Sequence, residues 1–427
     1  VSQLGVFSEI DQLETVVIHR PGPEVDHMTP DLMHDLLFDD ILFGNEAREE
    51  HDTFCDILRK VAPNVLDATT LFAETLTIAE AKTHFLDRFQ KMFALRPEQR
   101  EELSAMDPEA LAQTAIGGWL CSKDPATYYC FHTPPSPNLL FMRDPASVIG
   151  SAVSINKMAT KARIAEPIFM ETVMHFHPKF GVNTDTDILF DASLRFLEGH
   201  PEAHHSIEGG DILVLSPEIL AIGISIRTKQ STVTMLAEQL RKKTPFKTLF
   251  CVLMPHKRSA MHLDTIFTQI DEERCLVFPP FLDPSHPEVL PSLRLDLTGE
   301  EIGLQLKPTF LKALAEEGLP LEPVFCGGQQ RLDQEREQWT DGANAFCLAP
   351  GVILMYDRNI ATAKALEKAG YNVQMAESIL KHDYDLLDGR RYVVLIKGNE
   401  LSRARGGPRC MTMPLKRIHS KGSGSRS

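Results

Sequence analysis

PNLLFMRDPASVIGSAVSI (137–155) and EGGDILVLSPEILAIGISIRT (208–228) follow one pattern, which returns in HLDTIFTQIDEERCLVFPP (262–280) and DGANAFCLAPGVILMYDRN (341–359). In each, a polar or glycine-rich lead-in precedes an apolar run, a turn and a second apolar run. Such runs bounded by turn residues predict β-hairpins, with turns at DPAS (144–147), SPE (216–218), DEE (271–273) and APG (349–351). A weaker copy, LETVVIHRPGPE from Leu13, is expected to pair its opening strand with the chain end. Four clear copies and one weak one predict about five supersecondary units, with helices such as Thr232 to Lys242 between them. A radial arrangement would bring every lead-in to a common centre. The lead-ins hold Asn138, Glu208, Gly209, Gly210, Asp211, His262, Asp264 and Asp341, so a shared central site is expected, against the alternative of a solvated polar rim.

The stretch from about Thr69 to Trp119 has a different rhythm. Its apolar residues (Leu71, Phe72, Leu76, Ile78; Phe85, Leu86, Phe89; Met92, Phe93) recur at helical spacing, and Asp107-Pro108-Glu109 reads as a helix cap followed by a first-turn proline. An all-helical insertion is predicted within a chain that otherwise alternates strands and helices.

The remaining composition narrows the function. At 427 residues, with 43% hydrophobic and 24% charged residues, the chain has ample core for two or three domains. A formal charge of −15 disfavours nucleic acid and anionic membrane surfaces as partners. No apolar stretch approaches the roughly 20 residues that span a bilayer, and VSQLGVFSEIDQ lacks the pattern of a secretory signal, so a cytoplasmic location is expected. The eight cysteines are scattered without CxxC pairs, which indicates neither a disulfide framework nor a zinc ribbon; seven read as small buried hydrophobes. The final KGSGSRS reads as a linker or tag remnant.

Cys410 is the eighth. It follows a Gly-Gly-Pro loop and several arginines, and cationic neighbours are expected to lower its thiol pKa. His262 and Asp264 alternate in MHLDT, so on a strand both would face one side. Glu208 opens EGGD, where glycines let the backbone approach a ligand or another strand, and its carboxylate could orient His262 and hold it protonated. Asp144 follows Arg143 in FMRDP. Each residue has an ordinary structural explanation, such as a turn aspartate or a satisfied core histidine. Together they supply a nucleophile, a histidine and three carboxylates, a set suited to a planar cation. A zinc site is not indicated, because Cys410, His262 and the acids show no closed tetrahedral spacing.

These residues lie in NLLFMRD (138–144), EGGD (208–211), IGISIRT (222–228), MHLDT (261–265), REQWTDGAN (336–344) and LSRARGGPRCMTMPL (401–415). In that order the chain resembles the arginine deiminases, guanidine-modifying enzymes, over essentially its whole length up to the tail. The resemblance implies an α/β fold, a five-bladed pseudo-symmetric α/β propeller with an inserted all-helical domain: propeller from 1–68 and 131–420, helical insertion from 69–130, and tail 421–427. It implies hydrolysis of free L-arginine to L-citrulline and ammonia through a covalent cysteine thiouronium intermediate, without metal or organic cofactor, in a homo-oligomer. By the same resemblance Cys410 is the nucleophile, Asp144 and Asp264 bind the guanidinium, and His262 paired with Glu208 is the acid and base. Asn138, Arg163 and Arg227 hold the substrate carboxylate, Phe141 packs beside the aliphatic chain, and Arg405 gates the site.

The sequence departs from the family pattern beside the nucleophile, where Arg409 stands for an expected His and Pro408 for an expected Gly. Alternative readings are a related guanidino-group hydrolase, an amidinotransferase, or a non-catalytic arginine-binding protein. The carboxylate ligands and helical insertion favour free arginine.

Overall fold

The computed structural model describes residues 4–122, 129–181, 187–191 and 205–419. Its strands form five sheets of three or more strands and one two-stranded ribbon. One strand order is common to all five sheets: an antiparallel pair, a hairpin in four of them, has one strand that pairs in parallel with a third. Ala146–Ile149, Ala152–Ile155 and Ile188–Asp191 are the first such set. Ile212–Val214, Ile219–Ile224 and Thr248–Leu253 are the second, widened by the antiparallel strands Ser292–Asp296 and Gly303–Lys307. Phe267–Gln269, Arg274–Val277 and Glu322–Phe325 form the third. Phe346–Ala349, Val352–Tyr356 and Tyr392–Ile396 form the fourth, joined by Asn372–Met375.

The fifth sheet joins the two ends of the described chain. Met413–Ile418 pairs antiparallel with Gln12–Ile18, which pairs in parallel with Asn64–Asp67, as expected from the weak first copy. The central strands are the Val- and Ile-rich runs, buried on both faces because helices and neighbouring sheets cover them. The predicted helix at 232–242 is Gln230–Lys243.

Three of the four predicted turns fall where expected. The first does not: the hairpin reverses at Gly150–Ser151, with Gly150 at φ 64°, rather than at DPAS. A left-handed backbone is nearly free of cost only for glycine, so Gly150 rather than Asp144-Pro145 sets that reversal.

Helices Ala68–Leu76, Ala79–Phe93, Pro97–Ala105 and Pro108–Gly117 fill the predicted helical stretch. Asp107 caps the last of them, accepting from the Ala110 amide at 2.9 Å. Phe72, Phe85 and Phe89 pack with Phe169 of helix Glu166–Phe176, so this segment and the first sheet share one core. The stretch 69–130 is not purely helical, since Trp119–Leu120 pairs with Phe131–Thr133 at its end. Cys121 and Cys130 are joined there by a disulfide, which corrects their reading as separate buried thiols; hairpin pairing brings their Cα atoms to 5.4 Å. Cys55, Cys251, Cys275, Cys326 and Cys347 are free and buried, as expected. No helix among the described residues is long and apolar enough to cross a membrane. The tail 421–427 lies outside the described residues.

Candidate functional site

The lead-ins fold as short 3₁₀ turns, Pro137–Leu140, Gly209–Asp211 and Leu263–Thr265; the first and third contribute to the lining of one small cavity, and the second packs against His262 beside it. Glycine permits that packing. A Cβ on Gly209 would stand 1.9 Å from the Arg143 carbonyl, and one on Gly210 would stand 2.6 Å from His262 Nδ1. The strand alternation expected for MHLDT is absent: His262 is extended and Asp264 lies within the following turn. Both side chains are nonetheless buried in the same cluster.

Eight of the predicted site residues line the cavity: Asn138, Phe141, Asp144, Arg163, Arg227, His262, Arg405 and Cys410. Glu208 and Asp264 stand immediately behind it. The cavity is only about 30 Å³, room for roughly one water molecule. Clefts of about 850 and 750 Å³ elsewhere contain none of these residues. Concentrated buried charge, rather than volume, marks the site, since buried charge persists only where it is paired.

Cys410 Sγ lies 3.7 Å from Asp264 Oδ2, and the Cys410 amide donates to Asn344 Oδ1 at 3.1 Å. Burial, reinforced by Asp264, Asp144 and Asp341, pushes the thiol well above its ordinary pKa. This runs against the expectation of a thiol acidified by its arginines: Arg409 bonds to carboxylates and a carbonyl, and shares Asp264 Oδ2 with the sulfur. Its guanidinium is wholly buried, bonded to Glu9 at 3.0 and 3.1 Å, to Asp264 Oδ2 at 2.8 Å and to the Ile212 carbonyl at 2.9 Å. Its charge is therefore spent on two carboxylates. Glu9 is held down to about 2; burial opposes that charge, and Arg409 and Arg143 outweigh it. Asp264 keeps one buried oxygen, Oδ1, without a hydrogen-bond partner among the described residues.

On the opposite side, His262 Nε2 meets Glu208 Oε2 at 2.8 Å and Nδ1 stands 3.9 Å from Asp144 Oδ1. Burial disfavours the imidazolium, but Asp144, Glu208 and Asp211 outweigh it and raise the histidine to about 9. Glu208 is driven down, against burial, by Arg227, His262 and Arg163. Asp211 accepts from the Leu263 amide at 2.8 Å and from Ser225 at 2.7 Å, fixing the turn that carries Asp264.

Arg163 is not free to hold a substrate carboxylate in this state. Its guanidinium pairs with Asp144 Oδ2 at 2.6 Å and Glu166 at 2.7 Å and donates to the carbonyls of Asn138 and Phe141. Asp144, Glu208 and His262 place three ligand-type atoms within 4.8 Å of one another, and Arg163, 4.0 Å from Glu208, already provides positive charge beside them. Arg227 is more loosely held, 3.5 Å from both Glu208 oxygens. Asn138 donates to the Leu36 carbonyl at 2.7 Å. The Phe141 ring packs against the loop that leads to Cys410, where a Cβ on Gly406 would come within 2.3 Å of it. Arg405 adopts φ 70°, stacks its guanidinium 3.3 Å over Trp339 and donates to the Trp339 carbonyl.

Sequence reasoning missed Glu9, Asn344, Glu166 and Trp339 as parts of this cluster. Trp339 and Asn344 lay inside a quoted motif, and Glu166 is three residues from Arg163. Glu9 carried no local signal.

The sequence profile described as "ADI: Arginine deiminase" matches residues 34–417. An arginine deiminase from Clostridium perfringens is 35% identical over 96% of this chain and 97% of its own length. One from Streptococcus gordonii is 34% identical over 97% and 98%. Among solved structures, the N-terminal domain of ArgZ, an arginine dihydrolase from cyanobacteria, matches with a TM-score of 0.52 at 14% identity, over 95% of this chain and 98% of that one. The amidinotransferase SxtG from Microseira wollei matches at 0.51 and 12%, over 99% of each. At these identities the two structures speak for the α/β fold alone. The sequence relatives go further: the chain belongs to the arginine deiminase family.

Proposed function

We propose that this chain hydrolyses free L-arginine to L-citrulline and ammonia, with Cys410 as the nucleophile. The observation that carries the reading is Asp264: a buried carboxylate beside the thiol whose Oδ1 has no hydrogen-bond partner among the described residues. A substrate guanidinium supplies donors in a planar fork and a positive charge in the same step. That charge stabilises the thiolate, which the empty site's carboxylates oppose.

In this reading Asp144 and Asp264 grip the guanidinium, the Cys410 thiol releases its proton to solvent as that positive charge enters, and the thiolate attacks the central carbon. Protonated His262, held by Glu208, gives a proton to the departing ammonia. The neutral imidazole then takes a proton from water as that water attacks the thiouronium carbon, releasing citrulline and the thiolate. Asp144 first exchanges its bond to Arg163 for one to the substrate. The released Arg163, with Arg227 and Asn138, then faces the α-carboxylate, and Phe141 lies along the methylenes. Arg405, in a backbone region costly for an arginine, is the gate that opens the cavity.

We further infer that the five like-built sheets are the blades of one α/β propeller with this site at its centre, that 69–130 is an inserted domain, and that the enzyme is a cytoplasmic homo-oligomer. The shared strand order supports the first point and the family resemblance the others. The test of function is incubation of the chain with L-arginine in the presence of a chelator. Equimolar citrulline and ammonia are expected; a folded preparation yielding neither contradicts the proposal.

A further inference from the structure

A second cluster of ligand-type side chains lies away from the arginine site, between helices Ala79–Phe93 and Glu166–Phe176. Glu171 and His175 are four residues apart on the second helix and so share one of its faces. His84 reaches them from the first helix. His84 Nε2 stands 3.5 Å and His175 Nδ1 3.8 Å from Glu171 Oε1, and one ligand atom from each residue lies within 4.8 Å of the other two. His84 Nε2, the nitrogen that faces Glu171, is buried and has no hydrogen-bond partner among the described residues; His175 faces the same oxygen through Nδ1, and its other nitrogen, Nε2, is likewise buried without one. Buried imidazole nitrogens in that condition are uncommon, because each forfeits its hydration for nothing.

We propose that His84, Glu171 and His175 form a binding site for a divalent transition-metal ion, zinc in the first instance. Two imidazoles and one carboxylate are a common zinc ligand set, with a fourth position left for water. Tetrahedral zinc with bonds of about 2.0–2.1 Å separates its ligand atoms by about 3.3 Å. The observed 3.5 and 3.8 Å need to close by only a few tenths of an ångström.

The surroundings are built for such an ion. Glu171 is fully buried, and Arg88 lies 2.9 Å from its other oxygen, Oε2, which fixes the carboxylate with Oε1 within 3.8 Å of both histidines. The ring of Phe176 lies 5.0 Å from that of His84, providing an apolar wall. His84 keeps about a quarter of its side chain exposed, a route for the ion to enter. Bound there, the ion cross-links the predicted helical insertion to the helix that covers the first sheet. It stabilises the folded chain by mass action without touching the arginine site.

The test uses the full chain, freed of metal with a chelator and then titrated with Co²⁺ and, separately, Zn²⁺. Cys410 and the buried group Asp144, Glu208 and His262 are the competing ligands, so Cys410→Ser is titrated alongside. Expected are one equivalent of Co²⁺ with tetrahedral d–d bands and no thiolate charge-transfer band, unchanged in Cys410→Ser. In His84→Gln and His175→Gln the affinity falls by about a hundredfold or more, beyond the range typical of losing an outer-shell partner. Zn²⁺ raises the melting temperature of the wild type and of Cys410→Ser, but not of the histidine variants. Circular dichroism and citrulline formation check that His84→Gln, at a partly exposed position, is folded and active. No saturable binding, binding that carries a thiolate band or is lost in Cys410→Ser, or equal binding in a folded His84→Gln each overturns the proposal.

Discussion

Replacing Glu9 by Gln removes one of the two anions that hold Arg409 beside the nucleophile. The guanidinium is fully buried, and its other charged partner is Asp264. Breaking a buried ion pair from one side costs about 3–5 kcal/mol, because the surviving charge keeps its desolvation penalty and loses its compensation. With an unfolding entropy of about 2.1 cal/mol/K per residue over 427 residues, 4 kcal/mol lowers the melting temperature by about 4–5 °C. The chemistry suffers as well. Deprived of Glu9, the Arg409 fork turns wholly onto Asp264 and competes for Oδ1, the oxygen the proposal assigns to the substrate. Thermal melts by circular dichroism and kcat/KM from citrulline release give the two readouts. Arg409→Met is expected to be worse than Glu9→Gln, since it strands two buried carboxylates rather than one cation. The loss should also be nearly independent of added salt, because the pair is shielded from solvent. A Glu9→Gln variant that melts with the wild type and keeps its kcat/KM would refute this reasoning.

Other perturbations have equally definite outcomes. His262 is raised from 6.5 to about 9, so its contribution to folding is complete below about pH 6.5 and is lost as the pH rises through about 9. The protonated form also serves as the acid, so kcat/KM should fall on the alkaline side, and Glu208→Gln should move that fall to lower pH; an unmoved alkaline limb would break the His262–Glu208 assignment. Gly210→Ala puts a Cβ 2.6 Å from His262 Nδ1, and should cost about 1–3 kcal/mol by overpacking together with most of the activity, read by melts and citrulline assay. Arg227→Ala should raise the KM for arginine more than that for agmatine, which lacks the carboxylate; equal losses would remove Arg227 from the carboxylate site.

Much of this site was legible because the fold displays it locally. His262, Glu208 and Asp144 each sit at or beside a hairpin lead-in, and the repeated lead-ins announced a convergence; Cys410 stood out instead by its Gly-Gly-Pro loop and neighbouring arginines. What failed had physical causes. Asp144-Pro145 has strong turn propensity, but the carboxylate serves Gly210 and Arg163, and a glycine at positive φ makes the turn instead. The thiol reading failed because counting arginines in sequence ignores where their charges are spent. Arg409 is satisfied by Glu9, 400 positions away, and no spacing rule reaches that far. The His84, Glu171 and His175 cluster is hidden for the same reason, since it exists only once two helices have packed.

The most direct test of the account is to quench a single turnover of excess enzyme on arginine with acid, and then map the modified peptide by mass spectrometry. The account predicts a covalent adduct with the mass of arginine less ammonia on the peptide containing Cys410, absent from a folded Cys410→Ser variant that forms no citrulline. Citrulline formed at the wild-type rate by Cys410→Ser would contradict it.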